Sequence, residues 1–370
     1  MTDITHTQVA RVGVDLSKRV FQVHAVDRSG KRVLAKSFTV ERFYAWCAQL
    51  PANCLVAMET CGGAHHVARR LRLLGLDARL VAAHFVTPYR MAGRSGKNDA
   101  NDAAAICEAA GRPQMRFVPV KTAQQQGVLA LHRMREGYKE ERTALINRIR
   151  GLLLEFGLSC AKGPEALRPV LVNMLEDASN ELPGDARLLL QRAHEHWLAI
   201  DEQLRWCDQR VAEHVRTDDK ARTAATLMGI GPVTASALVA SVGDFKQFDS
   251  AAQFGAWLGL VPSQNSTGGK ARLGGITKRG DDYLRTLLIQ GAKSAVMSAA
   301  KRGDRISKWL VQLRQRAGWQ KAVVALANKN ARILWAVLSR GERYDPGHVP
   351  TPPPARCCVP RGGAGGAAAA

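Results

Sequence analysis

The sequence predicts an α/β unit followed by a mainly helical remainder. Three observations point there: strand-like runs giving way to alternating helices and strands near the amino terminus, two long helical stretches of balanced charge in the middle, and a basic, helix-rich final third. A length of 370 residues fits two or three domains.

Residues 10–16, 20–26 and 32–38 alternate or are rich in β-branched side chains, so each reads as a strand. Asp27-Arg28-Ser29-Gly30 is a hairpin turn between the last two. Residues 41–50 look helical. Residues 54–58 (CLVAM) are wholly apolar, as expected of a strand covered on both faces. Gly62-Gly63 leads into a helix over 64–74, residues 79–81 form a short strand, and 99–110 form an alanine-rich helix. Together these make a mixed sheet with helices. Residues 122–157 read as one long helix with Leu129, Leu131, Met134, Ile146, Ile149, Leu152 and Leu153 as apolar positions. Gly163-Pro164 breaks it, and helical pattern resumes to about residue 215, which suggests an antiparallel arm or a coiled-coil dimerisation element.

Next comes Leu227-Met228-Gly229-Ile230-Gly231-Pro232, a helix–Gly-x-Gly–helix turn. Gly229 and Gly231 there would aim backbone N–H groups at a phosphate, in the manner of a helix-hairpin-helix; a helix turn with no ligand is the alternative. A Gly/Ser loop spans 263–275, and helices are expected over 281–301, 306–316 and 321–339. Trp257, Trp309, Trp319 and Trp335 sit at helical positions as core residues rather than base-stacking platforms. The expected division is 1–120, 121–218, 219–344 and a Pro/Gly/Ala-rich disordered tail over 345–370.

Charge separates the same segments. The chain carries a net +21 with a pI near 10.1. Residues 1–120 hold 17 basic and 9 acidic side chains, 121–216 hold 14 of each, and 217–370 hold 22 and 9. Two basic ends joined by a neutral spacer predict polyanion contact at both ends, with nucleic acid as the partner. A hydrophobic content of 46% excludes a wholly disordered chain. There is no apolar run of the ~18 residues that a bilayer requires. The polar first residues lack a secretory core, so a cytoplasmic, nucleoid-associated protein with no membrane contact is expected. Eight cysteines without a C-x-x-C pair are expected to be free thiols.

Two groups of residues carry chemistry. Asp15 ends the first strand and Glu59 the apolar fourth. Asp99 and Asp102 are three apart, on one face of a helix. Carboxylates at the ends of apolar strands are costly unless a cation compensates, and an oxygen-rich set selects Mg²⁺ or Mn²⁺. The second group is the run from Ser263 to Arg285. It places Ser266, Thr267, Gly268 and Gly269 among Lys270, Arg272, Lys278, Arg279 and Arg285, a composition suited to a phosphate. On the residues alone Ser266 is either a phosphate ligand or, once activated from elsewhere, a nucleophile.

The motifs GVDLSK, AMETCGGAHHVARRL, GKNDANDAAAICEA, GIGPVTASAL and GLVPSQNSTGGKARLGGITKRGDDYLRTLLIQGA, in this order, resemble the DEDD-type transposases of insertion-sequence family 110, most closely the 1111 subgroup. The resemblance runs from about residue 12 to 340. It implies a ribonuclease H-like, resolvase-like amino-terminal domain, a dimerising helical linker and a carboxy-terminal transposase domain. It implies Asp15, Glu59, Asp99 and Asp102 as the acidic tetrad and Ser266 as the attacking serine, with Thr267 the alternative alignment. The implied partners are donor and target DNA, a noncoding bridge RNA, and further copies of the chain as a dimer, or a tetramer on DNA. Other readings are a Mg²⁺-dependent junction nuclease whose serine loop only binds phosphate, an actin- or sugar-kinase-type ATPase, and a structural nucleic-acid binder.

Overall fold

The computed structural model describes residues 8–90, 98–265, 267 and 272–348. Its amino-terminal part is a six-stranded mixed sheet of order β3-β2-β1-β4-β5-β6. Strands β1 (Arg11–Asp15), β2 (Val20–Val26) and β3 (Arg32–Thr39) form an antiparallel meander. Then β4 (Leu55–Glu59) and β5 (Asp77–Val81) add in parallel to β1, and β6 (Phe117–Val118) closes the edge antiparallel. The predicted mixed sheet is therefore present, with β6 as an additional strand.

Helices α1 (Val40–Cys47) and α2 (Ala64–Leu73) bury Phe43, Trp46, Val67 and Leu71 with Val12, Val14, Val56 and Met58 on one face. A one-turn helix α3 (Ala83–Val86) and then α4 (Asp99–Ala110) cover the other, where Ala57, Ala105, Ile106 and Ala109 pack together. Burial on both faces explains why β4 is apolar without alternation.

Helices α5 (Ala123–Glu155), α6 (Pro164–Glu176) and α7 (Gly184–Thr217) form the arm. Arg135 pairs with Asp208 at 2.7 Å, Glu141 with His196 at 3.0 Å and Arg142 with Asp201 at 2.7 Å, so α5 and α7 run antiparallel. Ile149, Leu153, Leu167, Leu171, Trp197 and Ile200 fill the arm's own core. The second helical stretch expected from the sequence is two helices, α6 and α7, because Asp177 begins a turn held by its bonds to Ser179.

The last third is a helical bundle. Helices α8 (Asp219–Ala224), α9 (Pro232–Val242), α10 (Ala251–Trp257), α11 (Asp282–Ser298), α12 (Arg305–Ala317) and α13 (Trp319–Arg340) enclose one hydrophobic core. The two sides of the expected Gly/Ser loop pair as an antiparallel hairpin, β7 (Pro262–Gln264) with β8 (Leu273–Ile276). A buried polar joint ties the arm to this bundle. The Ser236 hydroxyl on α9 bonds His132 Nε2 of α5 and His214 Nδ1 of α7, both at 2.9 Å. His132 Nδ1 bonds the Tyr283 hydroxyl of α11 at 3.0 Å. Burial pushes the His132 pKa down to about 4.

Trp335 donates to the Phe248 carbonyl at 3.1 Å, a structural role as expected, whereas Trp257 is part-exposed beside Phe248 and Phe254. Of the expected tail, 349–370 lie outside the described residues. Residues 345–348 form a turn whose His348 carbonyl accepts from Arg305 Nη1 at 3.1 Å. Six cysteines among the described residues are free thiols. No helix among those residues is long and apolar enough to cross a membrane.

Candidate active site

Register places the acids. Gly13 lies opposite Ala57 and Val14 opposite Met58, so the next pair along the parallel strands is Asp15 and Glu59. Side chains two apart share a face, so Asp15 and Glu59 project on the side of Gly13 and Ala57, under α4. Gly13 sets how close α4 comes: a Cβ there would fall 2.2 Å from the Ala103 carbonyl oxygen and 2.4 Å from the Cys107 nitrogen. The small pair Gly13 and Ala57 and the alanines of α4 let helix and sheet touch backbone to backbone. Asn98, not Asp99, caps α4 by accepting from the Asn101 N–H at 2.8 Å. Asp99 and Asp102 lie in the first turn, at the positive end of the helix dipole, and neither is used as the cap.

Asp15 lies close enough to the other three carboxylates to feel their charge. The Asp15 pKa is pushed up to about 6, first by burial and then by the Asp99, Asp102 and Glu59 carboxylates, with Arg90 opposing. Arg90 is the neutralising cation. Its Nη2 donates to Glu59 Oε1 at 2.8 Å, and its Nε lies 2.8 Å from Asp102 Oδ1 as an ion pair. Glu59 and Asp102 side chains keep only 17% and 12% of their exposure, so this pairing is worth more than a surface salt bridge. Among the described residues no three His, Cys, Asp or Glu side chains already close to metal-holding spacing. The donors are carboxylate oxygens, the ligand type that Mg²⁺ and Mn²⁺ take, and two of the four carboxylates pair with Arg90.

Arg90 carries no local mark that singles it out before the fold is seen. Its one signal was the need for a cation near acids at apolar strand ends. Cys61 follows Glu59 closely, and its thiol pKa is raised by burial and by Asp15 and Glu59. His65 accepts from the Lys121 N–H at 3.1 Å, with its pKa pushed down to about 4 by burial and by Lys121, Arg69 and Arg133.

The second constellation is carried by the β7–β8 hairpin. Asn265 N–H donates to the Arg272 carbonyl at 2.9 Å, closing the hairpin below its tip. Thr267 and Arg272 are exposed there. Ser266, Gly268, Gly269 and Lys270 lie outside the described residues. Lys278, in the left-handed region at φ 54°, and Arg279 are exposed beyond β8. Arg285 is placed differently from these: it is 7% exposed, paired with Asp282 and aimed at the Leu258 carbonyl, so it braces α11 inside the bundle.

Gly231 is the exposed N-cap of α9, without a side-chain cap. Gly229 has φ +79° and lies against α11, where a Cβ on Gly291 would fall 1.9 Å from the Gly229 carbonyl oxygen. Gly229 therefore serves the packing of the turn whether or not a ligand is present. The amino-terminal sheet unit and the carboxy-terminal bundle meet at the root of the arm, where His65, Lys121, Arg133, Trp257, Asp281 and Tyr283 line one cavity of about 470 Å³.

A basic chain with acids gathered at the carboxyl end of two central parallel strands has the layout of an enzyme that works on phosphodiesters. Comparison with known proteins makes this specific. A DEDD transposase profile, described as "Transposase", matches residues 12–157, and one described as "Transposase IS116/IS110/IS902 family" matches 221–308. A Pseudomonas aeruginosa protein named "Probable family 20 transposase" is 48% identical over 340 residues, spanning 92% of this chain and 99% of that one. The transposase for insertion sequence element IS1111A of Coxiella burnetii is 40% identical over 90% of each chain. That for IS1328 of Yersinia enterocolitica is 39% identical over 90% of this chain and 98% of its own. The chain belongs to the IS116/IS110/IS902 family of insertion-sequence transposases, enzymes that cut and rejoin DNA.

Proposed function

We propose that this transposase breaks and rejoins DNA by attack of Ser266 on a phosphodiester, assisted by divalent ions at Asp15, Glu59, Asp99 and Asp102. The observation that carries the proposal is that Arg90 joins Glu59 at the end of β4 to Asp102 on α4, while Asp15 at the end of β1 has its pKa raised by burial and by the Asp99, Asp102 and Glu59 charges. A bound Mg²⁺ or Mn²⁺ would polarise the scissile phosphate and make a hydroxyl more acidic. The Ser266 oxygen forms a bond to phosphorus, its proton passes to solvent, and the bond to the leaving strand breaks with the electron pair on the departing oxygen. The phosphoserine link keeps the phosphodiester energy, so rejoining needs no ATP. Lys270, Arg272, Lys278 and Arg279, with the Gly229–Gly231 turn in a helix-hairpin-helix role, hold the backbone.

The same reading divides the chain as 1–120, 121–218 and 219–344. The meander followed by parallel strands supports a ribonuclease H-like first domain. Leu188, Leu189, Leu198 and Trp206, exposed on α7, support dimerisation through the arm and assembly of a tetramer on DNA. Only 6% of residues are aromatic, which suits a protein that holds backbones while a bound noncoding RNA pairs with donor and target.

The test is adduct trapping. Denaturing gels of protein with its element-end DNA and RNA should show protein-linked DNA that disappears in Ser266→Ala and survives Thr267→Ala. Free cut ends with no adduct would replace this chemistry by metal-dependent hydrolysis, with the serine loop only binding phosphate.

A further inference from the structure

A cavity of about 860 Å³ lies between α12, α13 and the segment 341–348, apart from the acidic cluster. Its floor is apolar, with Ile333 and the part-buried rings of Trp309 and Tyr344. Its wall carries five basic side chains against two acidic ones, Glu342 and Asp345. Among the described residues Arg305, Lys329, Arg332 and Arg343 make no ion pair with a carboxylate, and the contact of Arg340 to Glu342 is long at 3.9 Å. Lys329 is half-buried with its ammonium 4.7 Å from the centre of the Trp309 ring. Its pKa is lowered chiefly by burial, with Arg305 and Arg332 adding to the shift.

Such crowding opposes folding unless an anion relieves it. Glu342 and Asp345 offset only part of the charge on this wall, and the positive excess that remains suits an anionic ligand. Spaced cations above an apolar floor with aromatic edges match phosphates joined by bases free of a duplex. We propose that this cavity binds a single-stranded nucleic-acid segment, with phosphates on Arg305, Lys329, Arg332 and Arg343 and a base lodged beside Trp309 and Tyr344.

The cavity also adjoins the serine hairpin. Asn328 lines it and donates to the Leu260 carbonyl at 2.9 Å, two residues before β7. A strand held here would lie one helix away from the hairpin. The proposal rests on the chain's being a nucleic-acid enzyme and not on the chemistry assigned to Ser266.

The full chain is tested with labelled 12-nucleotide RNA, DNA of the same sequence, and the matching DNA duplex, by anisotropy across a salt series. Lys329→Gln with Arg332→Gln should weaken single-strand binding at least 10-fold and reduce the salt slope by about 1.4, as two lost phosphate contacts require. The control Arg28→Gln with Lys31→Gln removes the same charge in the β2–β3 turn and should leave both unchanged. In the wild type, photo-crosslinks from iodouracil-substituted strands should map to peptides holding Trp309 or Tyr344. Loss with RNA alone or DNA alone supports the site and names its strand. Equal losses in variant and control, an equal loss with the duplex, or crosslinks that all map elsewhere would overturn it.

Discussion

Replacing Gly13 by alanine puts a methyl group 2.2 Å from the Ala103 carbonyl oxygen, 2.4 Å from the Cys107 nitrogen and 2.7 Å from its Cβ. Two of these are backbone atoms in the middle of α4 and cannot swing aside. Ordinary carbon contacts begin near ~3.4 Å, so helix and sheet must part by about 1 Å, an overpacking that costs roughly 1–3 kcal/mol. The displacement carries Asp102, one residue before Ala103, away from Asp15 and Glu59. Misplacement of about 1 Å is enough to lower a rate some 100-fold. Urea denaturation should therefore show Gly13→Ala folded but less stable, while strand cleavage falls by about two orders of magnitude and Mg²⁺ affinity measured by calorimetry drops with it. Wild-type stability and wild-type Mg²⁺ affinity in this variant would refute the placement of α4 against β1.

Two further outcomes follow from groups outside the proposed ligands. Arg90→Gln removes the cation between Glu59 and Asp102, so the metal-free protein should melt lower than wild type in EDTA and regain the difference in Mg²⁺. A melting temperature indifferent to the substitution in EDTA would show that Arg90 does not offset the acids. His132 is held at a pKa of about 4 against an ordinary 6.5, so the unfolded chain takes up its proton first as pH falls. Its contribution is complete above pH 6.5 and is lost as pH drops towards 4, a change on the order of 3 kcal/mol. Denaturant midpoints of wild type and His132→Gln should converge from pH 7.5 to pH 4.5; a constant gap would mean that His132 does not titrate in this way.

Much of this architecture could be read from residue order. The strands β1, β2 and β4 carry alternation or continuous apolar runs, and Asp27-Arg28-Ser29-Gly30 marks its turn by chemistry that needs no tertiary partner. Strand β6 has only two residues and no period to detect. The β7–β8 hairpin has loop-like composition, and its pairing comes from backbone bonds such as Asn265 to Arg272. Asp15 and Glu59 were legible because carboxylates at the ends of apolar strands are conspicuous. Their shared face depends on the register of β1 against β4, which no local pattern encodes. Arg285 has the same basic neighbours as Arg279, yet Asp282, three residues earlier, and the Leu258 carbonyl draw it inside. Gly13 sits inside a run that reads as a strand, and only the approach of α4 reveals why it has no side chain.

The joint of Ser236 with His132, His214 and Tyr283 gives the arm a mechanical character. Helix α5 is about 50 Å long at ~1.5 Å per residue, so a 5° swing at its root moves the far end by roughly 4 Å. Because both long helices are pinned to the bundle at that root, a pull on the distant loop around Gly157 is transmitted to α9 and α11 instead of being lost in a slack hinge. Whatever grips the tip acts as a hand on a lever whose fulcrum is the joint with α9 and α11.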